Sequence, residues 1–227
     1  MLKKKSLMPK KVYIEHPNFN GDFRAMPCYE HSQGFVGIKW VNVHPNNKVL
    51  GLPAVMGHIL LSDPKTGQLL ASMAASEITA IRTGAVAALA AEYMSPKNAT
   101  NVCIIGAGKQ SIYQLEALCL IRNIKKVVVY DLIVEALDDF KKSIAVFYNG
   151  QVEYARSIQE CIVDADIIVT TTPSTKAILV YEDIPRGVHI NAIGADAIGK
   201  QELDSKILKH AQLIVDDLNQ AVHAGEL

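Results

Sequence analysis

The chain has 227 residues, enough for one large domain or two modest ones. Hydrophobic residues make up 49% and charged residues 20%, a balance typical of globular proteins. Basic and acidic residues number 23 each, so the net charge gives no electrostatic reason to expect nucleic acid or a membrane as partner. No apolar run could span a bilayer, and no export signal follows the basic start, so we expect a cytoplasmic protein.

The cysteines and histidines predict no metal site. The four cysteines are scattered without a C-x-x-C pair, which is typical of reduced thiols rather than of a disulfide framework or a zinc site. The seven histidines show no H-E-x-x-H or similar ligand spacing.

The first third of the chain is predicted to be rich in strands and to end in a helix. The stretch "DPKTG", 63–67, favours a tight turn between two of these strands. An alanine-rich helix is predicted over 76–94, because Ser76 can cap it and Ser95-Pro96 ends it. The candidate strands are 22–29, 34–43, 54–62 and 68–74.

From Asn101 onwards, short apolar runs alternate with stretches of helical spacing. This alternation predicts a parallel sheet covered by helices on both faces, as in the doubly wound Rossmann-type α/β fold. The change of pattern near 97–100 divides the chain into domains 1–98 and 99–227. The six predicted strands are 102–105, 127–130, 152–154, 167–170, 188–191 and 212–215.

The stretch "IIGAGKQS" joins a predicted strand to a predicted helix and favours dinucleotide binding. Gly106 permits the turn, and Gly108 lets a pyrophosphate approach the backbone at the helix N-terminus. Ser111 stands in place of the third glycine, where only a small residue is needed. Asp131 ends the next strand, 25 residues after Gly106, where a carboxylate accepts ribose hydroxyls and favours NAD over NADP. The alternative is an ordinary strand-to-helix turn with a surface aspartate.

Three charged residues in apolar surroundings are candidates for substrate chemistry. Asp196 follows the strand in "INAIGAD", where it is either a general acid/base or a helix cap. Arg82 in "TAIRTGA" is predicted to be buried, and so needs a substrate carboxylate, a cofactor phosphate or a structural ion pair. Lys39 in "GIKWVN" lies in an otherwise apolar strand, and if buried it needs an anionic partner of the same kind. If all three face the domain junction, they form a cluster suited to an amino or keto acid. The hydroxyls of "TTTPS", 170–174, either contact the cofactor or form a capped turn.

The whole chain from about Pro9 resembles the ornithine cyclodeaminase/mu-crystallin family, and within it the archaeal-type alanine dehydrogenases. The resemblance implies a Rossmann-type NAD domain with a smaller α+β domain for substrate binding and dimerisation. The motifs that carry it, in order, are "GDFRAMP", "GIKWVNVHP", "GLPAVMGHILLSDPKTG", "ITAIRTGA", "IIGAGKQ", "TTTPS", "HINAIGAD" followed by "GKQEL", and "VDDLNQAVHAGE".

The resemblance also implies a reaction. Hydride leaves Cα of a small L-amino acid for NAD, and water adds to the resulting imine to release ammonia and, from alanine, pyruvate. The implied catalytic residues are Asp196 and Lys39. The implied substrate-binding residues are Lys11, Arg24, Lys39 and Arg82. The predicted cofactor-binding residues are Thr83, Gly106, Gly108, Gln110, Ser111, Asp131, Thr171 and Ile193.

Arg24 bears on the choice of substrate. Ornithine-cyclising members carry a glutamate at this position to hold the distal ammonium, whereas a cation repels it and attracts a carboxylate. This favours alanine, while ornithine cyclodeamination, reduction of a cyclic ketimine such as pyrroline-2-carboxylate, and non-catalytic binding as in mu-crystallin stay open.

The chain also departs from the family pattern. Ala54 replaces a frequent threonine, and Ala197-Ile198 replaces a Gly-Pro or Ser-Pro pair. Family chains begin earlier and continue past "HAGEL", so we expect a fragment or a shortened protein with an incomplete first domain, and a homodimer if full length.

Overall fold

The described residues, 6–19 and 21–227 of a computed structural model, divide into two units within a long helix. One unit ends at Thr79 and the other is Ala80–Leu227. The domain division near residue 98 stays a prediction, but most of the predicted helix 76–94 falls in the second unit.

The first unit contains an antiparallel sheet in the order β1-β3-β4-β5-β6, with β2 also paired to β3. The four predicted strands are confirmed to within one residue at each end, whereas β1 and β2 were not predicted. The turn between β5 and β6 is held by Asp63, whose carboxylate accepts hydrogen bonds from the Lys65 amide and the Thr66 hydroxyl. The strands are β1 (Ser6–Leu7), β2 (Val12–His16), β3 (Gly21–Glu30), β4 (Phe35–Val43), β5 (Val55–Ser62) and β6 (Leu69–Ala74).

The rest of the chain alternates helices and strands. Its elements are α1 (Ser76–Met94), β7 (Asn101–Ile105), α2 (Lys109–Ile121), β8 (Lys126–Tyr130), α3 (Val134–Ile144), β9 (Gln151–Tyr154), α4 (Ile158–Ile162), β10 (Ile167–Thr170), β11 (Thr175–Leu179), β12 (His189–Ala192), β13 (Gln201–Leu203), α5 (Ser205–His210) and α6 (Leu218–Ala224). Short 3₁₀ turns occupy Pro17–Phe19, Pro45–Leu50 and Tyr181–Asp183.

Five parallel strands form the main sheet of the second unit as described, in the order β12-β10-β7-β8-β9. The prediction of a sixth strand at 212–215 is wrong, because this stretch lies between α5 and α6 without strand pairing. An apolar run forms a strand only where a sheet edge pairs with it, and here Leu213, Ile214 and Val215 stay 36–61% exposed. A separate pair of parallel strands, β11 and β13, was not predicted.

Helices cover both faces of the five-stranded sheet, as the doubly wound fold requires. Along β7, Val102 and Ile104 pack into one core cluster with α2 and α3, whereas Cys103 and Ile105 pack into the other with α4 and α5. The Rossmann-type α/β prediction is therefore confirmed. It could be made from the sequence because strands buried on both faces have continuous apolar sequences.

The helix α1 packs on α2 through small residues. Gly84 lies so close that an added Cβ would be 2.5 Å from the Tyr113 carbonyl oxygen. This close packing explains why most of α1 belongs to the second unit. The buried residues of α1 are Ala80, Gly84, Ala87, Ala88 and Ala91.

Residues 6–19 and 21–227 contain neither a membrane-spanning helix nor a metal-binding cluster. None of the helices in this part of the chain has both the length and the apolar character needed to cross a membrane. Nor do the described residues include a group of three or more His, Cys, Asp or Glu side chains that could hold a metal ion.

Candidate functional site

The glycine-rich turn after β7 requires its first glycine. Gly106 has φ +97°, a conformation that residues with a side chain rarely adopt, and its amide donates to the Tyr130 carbonyl at 2.9 Å. An added Cβ would lie 3.0 Å from Thr171 Oγ1 and 3.1 Å from that residue's carbonyl oxygen. The turn therefore brings the ends of β7, β8 and β10 together.

Gly108 lies at the N-terminus of α2 and faces open space. It has φ −80° and ψ −177° and occupies the N-cap position, where no side chain supplies a capping bond. Nothing in the described chain lies within 4 Å of an added Cβ at this position. The first amides of α2 thus border open space, and such amides at a helix N-terminus are suited to bind an anion.

Ser111 fills the position of the third glycine by pointing inward. It is completely buried, and its Oγ donates to the Gly108 carbonyl at 2.6 Å. The small side chain therefore permits close helix–strand packing and stabilises the first turn of α2, as the sequence analysis expected of a small residue.

Asp131 shapes the same turn. Its Oδ2 accepts a hydrogen bond from the Ala107 amide at 2.7 Å, and its Oδ1 accepts one from the Ile133 amide at 2.8 Å. A carboxylate offers about four acceptor positions, so the remaining ones can take ribose hydroxyls. The ribose role of Asp131 stays a prediction, and its contact with the Ala107 amide was not predicted.

The other predicted cofactor residues differ in where their side chains point. Thr171 Oγ1 donates to the Gly106 carbonyl at 2.9 Å, which joins it to the glycine turn. Ile193 follows β12, and its amide donates to the Thr170 carbonyl. Gln110 Nε2 instead donates to the Ala80 carbonyl of α1 at 3.3 Å, and Thr83 lies half-buried on that helix.

A completely buried carboxylate, which the sequence analysis missed, joins the loops that follow β10 and β12. Glu202 Oε1 accepts from the Thr172 amide at 2.6 Å and hydroxyl at 2.7 Å. Its Oε2 accepts from the Thr170 hydroxyl at 2.6 Å and the Gly194 amide at 2.7 Å. We call Glu202 with these four donors the Glu202 node. Glu202 lies in the largely polar stretch "KQELD", so no local pattern in the sequence signals its burial.

Asp196 lies two residues after Gly194, one of the donors of the Glu202 node, and it is not a helix cap. The chain after it enters a turn and then β13, and the next helix, α5, is capped by Asp204. The Asp196 side chain is 49% exposed, and Lys200 Nζ lies 2.6 Å from its Oδ1. Of the two alternatives for Asp196, the structure removes the capping role.

Three predicted substrate-binding residues share one face of the first unit's sheet. Arg24 pairs with Val41 across β3 and β4, and Lys39 pairs with Met26, so the two basic residues are diagonal neighbours. Lys11 directly precedes β2, where continued alternation puts it on the same face. Lys39 Nζ also donates to Thr79 Oγ1 at 3.4 Å.

The charge of Arg24 is balanced by a neighbouring residue. Arg24 is 4% exposed, and its guanidinium pairs bidentately with Asp22, Nε to Oδ1 at 2.6 Å and Nη2 to Oδ2 at 3.0 Å. This ion pair weakens the electrostatic argument that Arg24 repels a distal ammonium, because the Asp22 carboxylate offsets the charge of the guanidinium.

The prediction that Arg82 is buried is wrong, since the residue is exposed on α1. At 100° per residue, Arg82 lies roughly 180° from the centre of the buried alanine and glycine face of the helix. The apolar neighbours that suggested burial, Ile81 and Val86, are themselves 58% and 51% exposed. Arg82 and Asp196 belong to the second unit and Lys39 to the first, so their convergence stays a prediction.

A model of the ornithine cyclodeaminase/mu-crystallin family matches residues 2–227. The chain belongs to this family. The alanine dehydrogenase of Archaeoglobus fulgidus is 45% identical to it over 229 residues, which cover 98% of this chain and 67% of that protein.

Two solved structures resemble this family member closely. One is the Δ1-pyrroline-2-carboxylate reductase of Thermococcus litoralis in complex with NADH and L-proline, with a TM-score of 0.93 and 34% identity over 97% of this chain and 68% of that one. The other is an archaeal alanine dehydrogenase dimer with bound NAD, with a TM-score of 0.88 and 44% identity over 96% of this chain and 66% of that one. The chain thus spans about two thirds of the length of these proteins.

We expect His189 to make the stability of this family member sensitive to acid. Burial lowers the pKa of His189, and the Arg122 charge lowers it further, although the 2.8 Å hydrogen bond with Asn191 opposes the shift. The unfolded chain therefore binds more protons than the folded one below about pH 6.5, and the free energy of unfolding decreases as the pH falls. We expect His189→Gln to flatten this decrease in urea titrations between pH 7.5 and 5.

The exposed His58 provides the control, and His58→Gln should keep the slope of the unchanged protein. Equal slopes for the unchanged protein and His189→Gln would contradict the role of the buried histidine.

Proposed function

We propose that this protein catalyses the NAD-dependent oxidative deamination of a small L-amino acid, with L-alanine as the preferred substrate. The observation that carries the proposal is the open space at Gly108, bordered by the N-terminus of α2 and close to the Asp131 carboxylate. The 45% identity to an alanine dehydrogenase supports the choice of substrate.

The residues around the glycine turn fit a dinucleotide. The amides at the start of α2 can bind a pyrophosphate, and Asp131 can accept ribose hydroxyls while repelling a 2′-phosphate, which favours NAD over NADP. NAD, when bound, accepts the hydride that leaves the substrate Cα. The protein then has to orient the amino acid, bind its carboxylate and move protons at its nitrogen.

We assign these tasks to residues of both units. Lys11, Arg24 and Lys39 share a sheet face and are suited to bind a carboxylate, although Arg24 already pairs with Asp22. Arg82 is exposed and so accessible to an anionic group. Asp196, accessible and held by Lys200, is suited to take a proton from the amine or from the attacking water.

The test is turnover with matched substrates. We expect L-alanine with NAD to produce NADH and pyruvate at alkaline pH, with D-alanine and NADP as negative controls. If neither L-alanine nor any other small L-amino acid produces NADH, the dehydrogenase assignment is overturned. Proline formed from ornithine would instead indicate a cyclodeaminase.

A second candidate is reduction of a cyclic imine. The TM-score of 0.93 with a Δ1-pyrroline-2-carboxylate reductase in complex with NADH and L-proline favours it. Consumption of NADH with pyrroline-2-carboxylate but not with pyruvate and ammonia would establish this alternative. Saturable NADH binding without turnover of any of these compounds would indicate a binding protein.

The dimeric alanine dehydrogenase among the similar structures also supports a homodimer of the full-length protein. Light scattering of a protein extended to the length of these relatives would then report twice its monomer mass.

A further inference from the structure

Glu202 has no assigned role, yet it is completely buried and joins the two loops that hold candidate cofactor and substrate residues. One loop begins after β10 and carries Thr171, and the other begins after β12 and carries Ile193 and Asp196. We propose that Glu202 is a positioning residue that fixes the register of these two loops for NAD and substrate. This inference rests on the proposed function.

The donors around Glu202 match a side chain with an acceptor oxygen on both sides. Each carboxylate oxygen accepts one backbone amide, from Thr172 at Oε1 and from Gly194 at Oε2. A backbone amide cannot reverse its polarity as a hydroxyl can. A glutamine at this position would therefore direct its NH₂ group at one of the two amides in either orientation, and leave a buried donor unpaired.

Gly194 is adapted to the same contact. An added Cβ would lie 2.6 Å from Glu202 Cδ and even closer to the Thr172 carbonyl oxygen. Only a residue without a side chain lets the loop after β12 approach the carboxylate this closely. The two loops thus meet at Glu202, and the loop after β12 does so through Gly194, two residues before Asp196.

The backbone of Glu202 is itself held by a second carboxylate. Glu226 accepts from the Glu202 amide at 2.8 Å and from the Leu203 amide at 3.2 Å. Burial raises the pKa of Glu226, and the nearby Glu202 charge raises it further. The segment after α6 therefore fixes β13, and β13 in turn presents Glu202 to the two loops.

Asp166 offers a matched control at the opposite edge of the same sheet. It directly precedes β10, and its Oδ2 accepts from the Thr100 amide at 2.8 Å and the Asn101 amide at 2.9 Å. It thus ties the amino ends of β10 and β7, as Glu202 ties the loops at the carboxyl ends. Asp166→Ala should lower stability without moving the cofactor loops.

The decisive comparison is Glu202→Gln against Asp166→Ala, with the full chain and NADH as the probe. We expect Glu202→Gln to raise the Kd for NADH at least tenfold and to lower kcat/KM about a hundredfold, since a displacement of about 1 Å can cost that much. Asp166→Ala should keep the NADH Kd within twofold of the unchanged protein at a comparable loss of Tm. Amide NMR should show downfield proton shifts for Thr172 and Gly194, with at least one of them moving upfield in Glu202→Gln.

Several outcomes would overturn the inference. A folded Glu202→Gln variant with an unchanged NADH Kd would do so, as would an equal loss of affinity in Asp166→Ala. If Glu202→Gln does not fold, Thr170→Val decides, since it removes the hydroxyl that donates to Glu202 Oε2 and should weaken NADH binding at least threefold. An unchanged Kd overturns the proposal.

The proposed function fails in a different way. An unchanged protein that binds NADH but turns over no substrate contradicts only the reaction, while the Kd and NMR comparisons still decide the role of Glu202. An unchanged protein that binds no NADH overturns both.

Discussion

A Gly108→Val variant is expected to lose at least a hundredfold in affinity for NADH while unfolding within about 4 °C of the unchanged protein. The backbone at Gly108 has φ −80° and ψ −177°, which valine adopts readily, and nothing lies within 4 Å of an added Cβ. The fold therefore accepts the side chain. Its methyl groups, however, occupy the space through which a pyrophosphate would approach the α2 amides. Fluorescence titration with NADH and a thermal scan measure the two effects.

Gly106 gives the contrasting control. Its φ of +97° and its closeness to Thr171 mean that Gly106→Ala strains the turn itself, so affinity and thermal stability should fall together. NADH binding by Gly108→Val with unchanged affinity would contradict the phosphate site and leave an ordinary strand-to-helix turn.

The sequence predicted the second unit well because its strands are buried on both faces. The strands β7 and β10 are apolar along their length and separated by stretches of helical spacing, so local patterns suffice to place them. The apolar run at 212–215 has the same local pattern, yet it is not a strand. Whether such a run pairs depends on a sheet edge that lies far away in sequence, and a local pattern does not report this.

Site residues whose role depends on local backbone conformation were predicted from the sequence. Residues whose role depends on contacts with distant parts of the chain were not. Gly106 and Gly108 are recognisable because a tight turn needs them at a fixed spacing. Glu202 contacts Thr170 and Thr172, 32 and 30 residues earlier in the chain, through the unpredicted strand β13. Nothing near Glu202 in the sequence identifies those partners.

Arg82 was misjudged for a local reason. Its apolar neighbours suggested burial, but α1 buries a face of alanine and glycine and leaves several large apolar side chains exposed. Side-chain size, which sets how closely α2 approaches, decides the buried face here more than hydrophobicity does.

An Asp196→Asn variant is expected to lose about a thousandfold in kcat for alanine oxidation while binding NADH with unchanged affinity. The carboxylate is accessible and accepts from Lys200 Nζ at 2.6 Å, so an amide can replace it with little change in shape. The amide cannot take up a proton from the amine or from water. Stopped-flow measurement of NADH formation, with a separate NADH titration, distinguishes loss of chemistry from loss of binding.

Asp204→Asn is the matched control for Asp196→Asn. It makes the same chemical change eight residues later, where the side chain accepts from the Lys206 amide at the N-cap of α5 and has no role in the proposed reaction. Its kcat should stay within twofold of the unchanged protein. If Asp196→Asn also keeps its kcat, proton transfer must involve another group, and the assignment of Asp196 is wrong. If instead both variants lose activity together, the loss reflects damage to the segment around β13 and not the chemistry of Asp196.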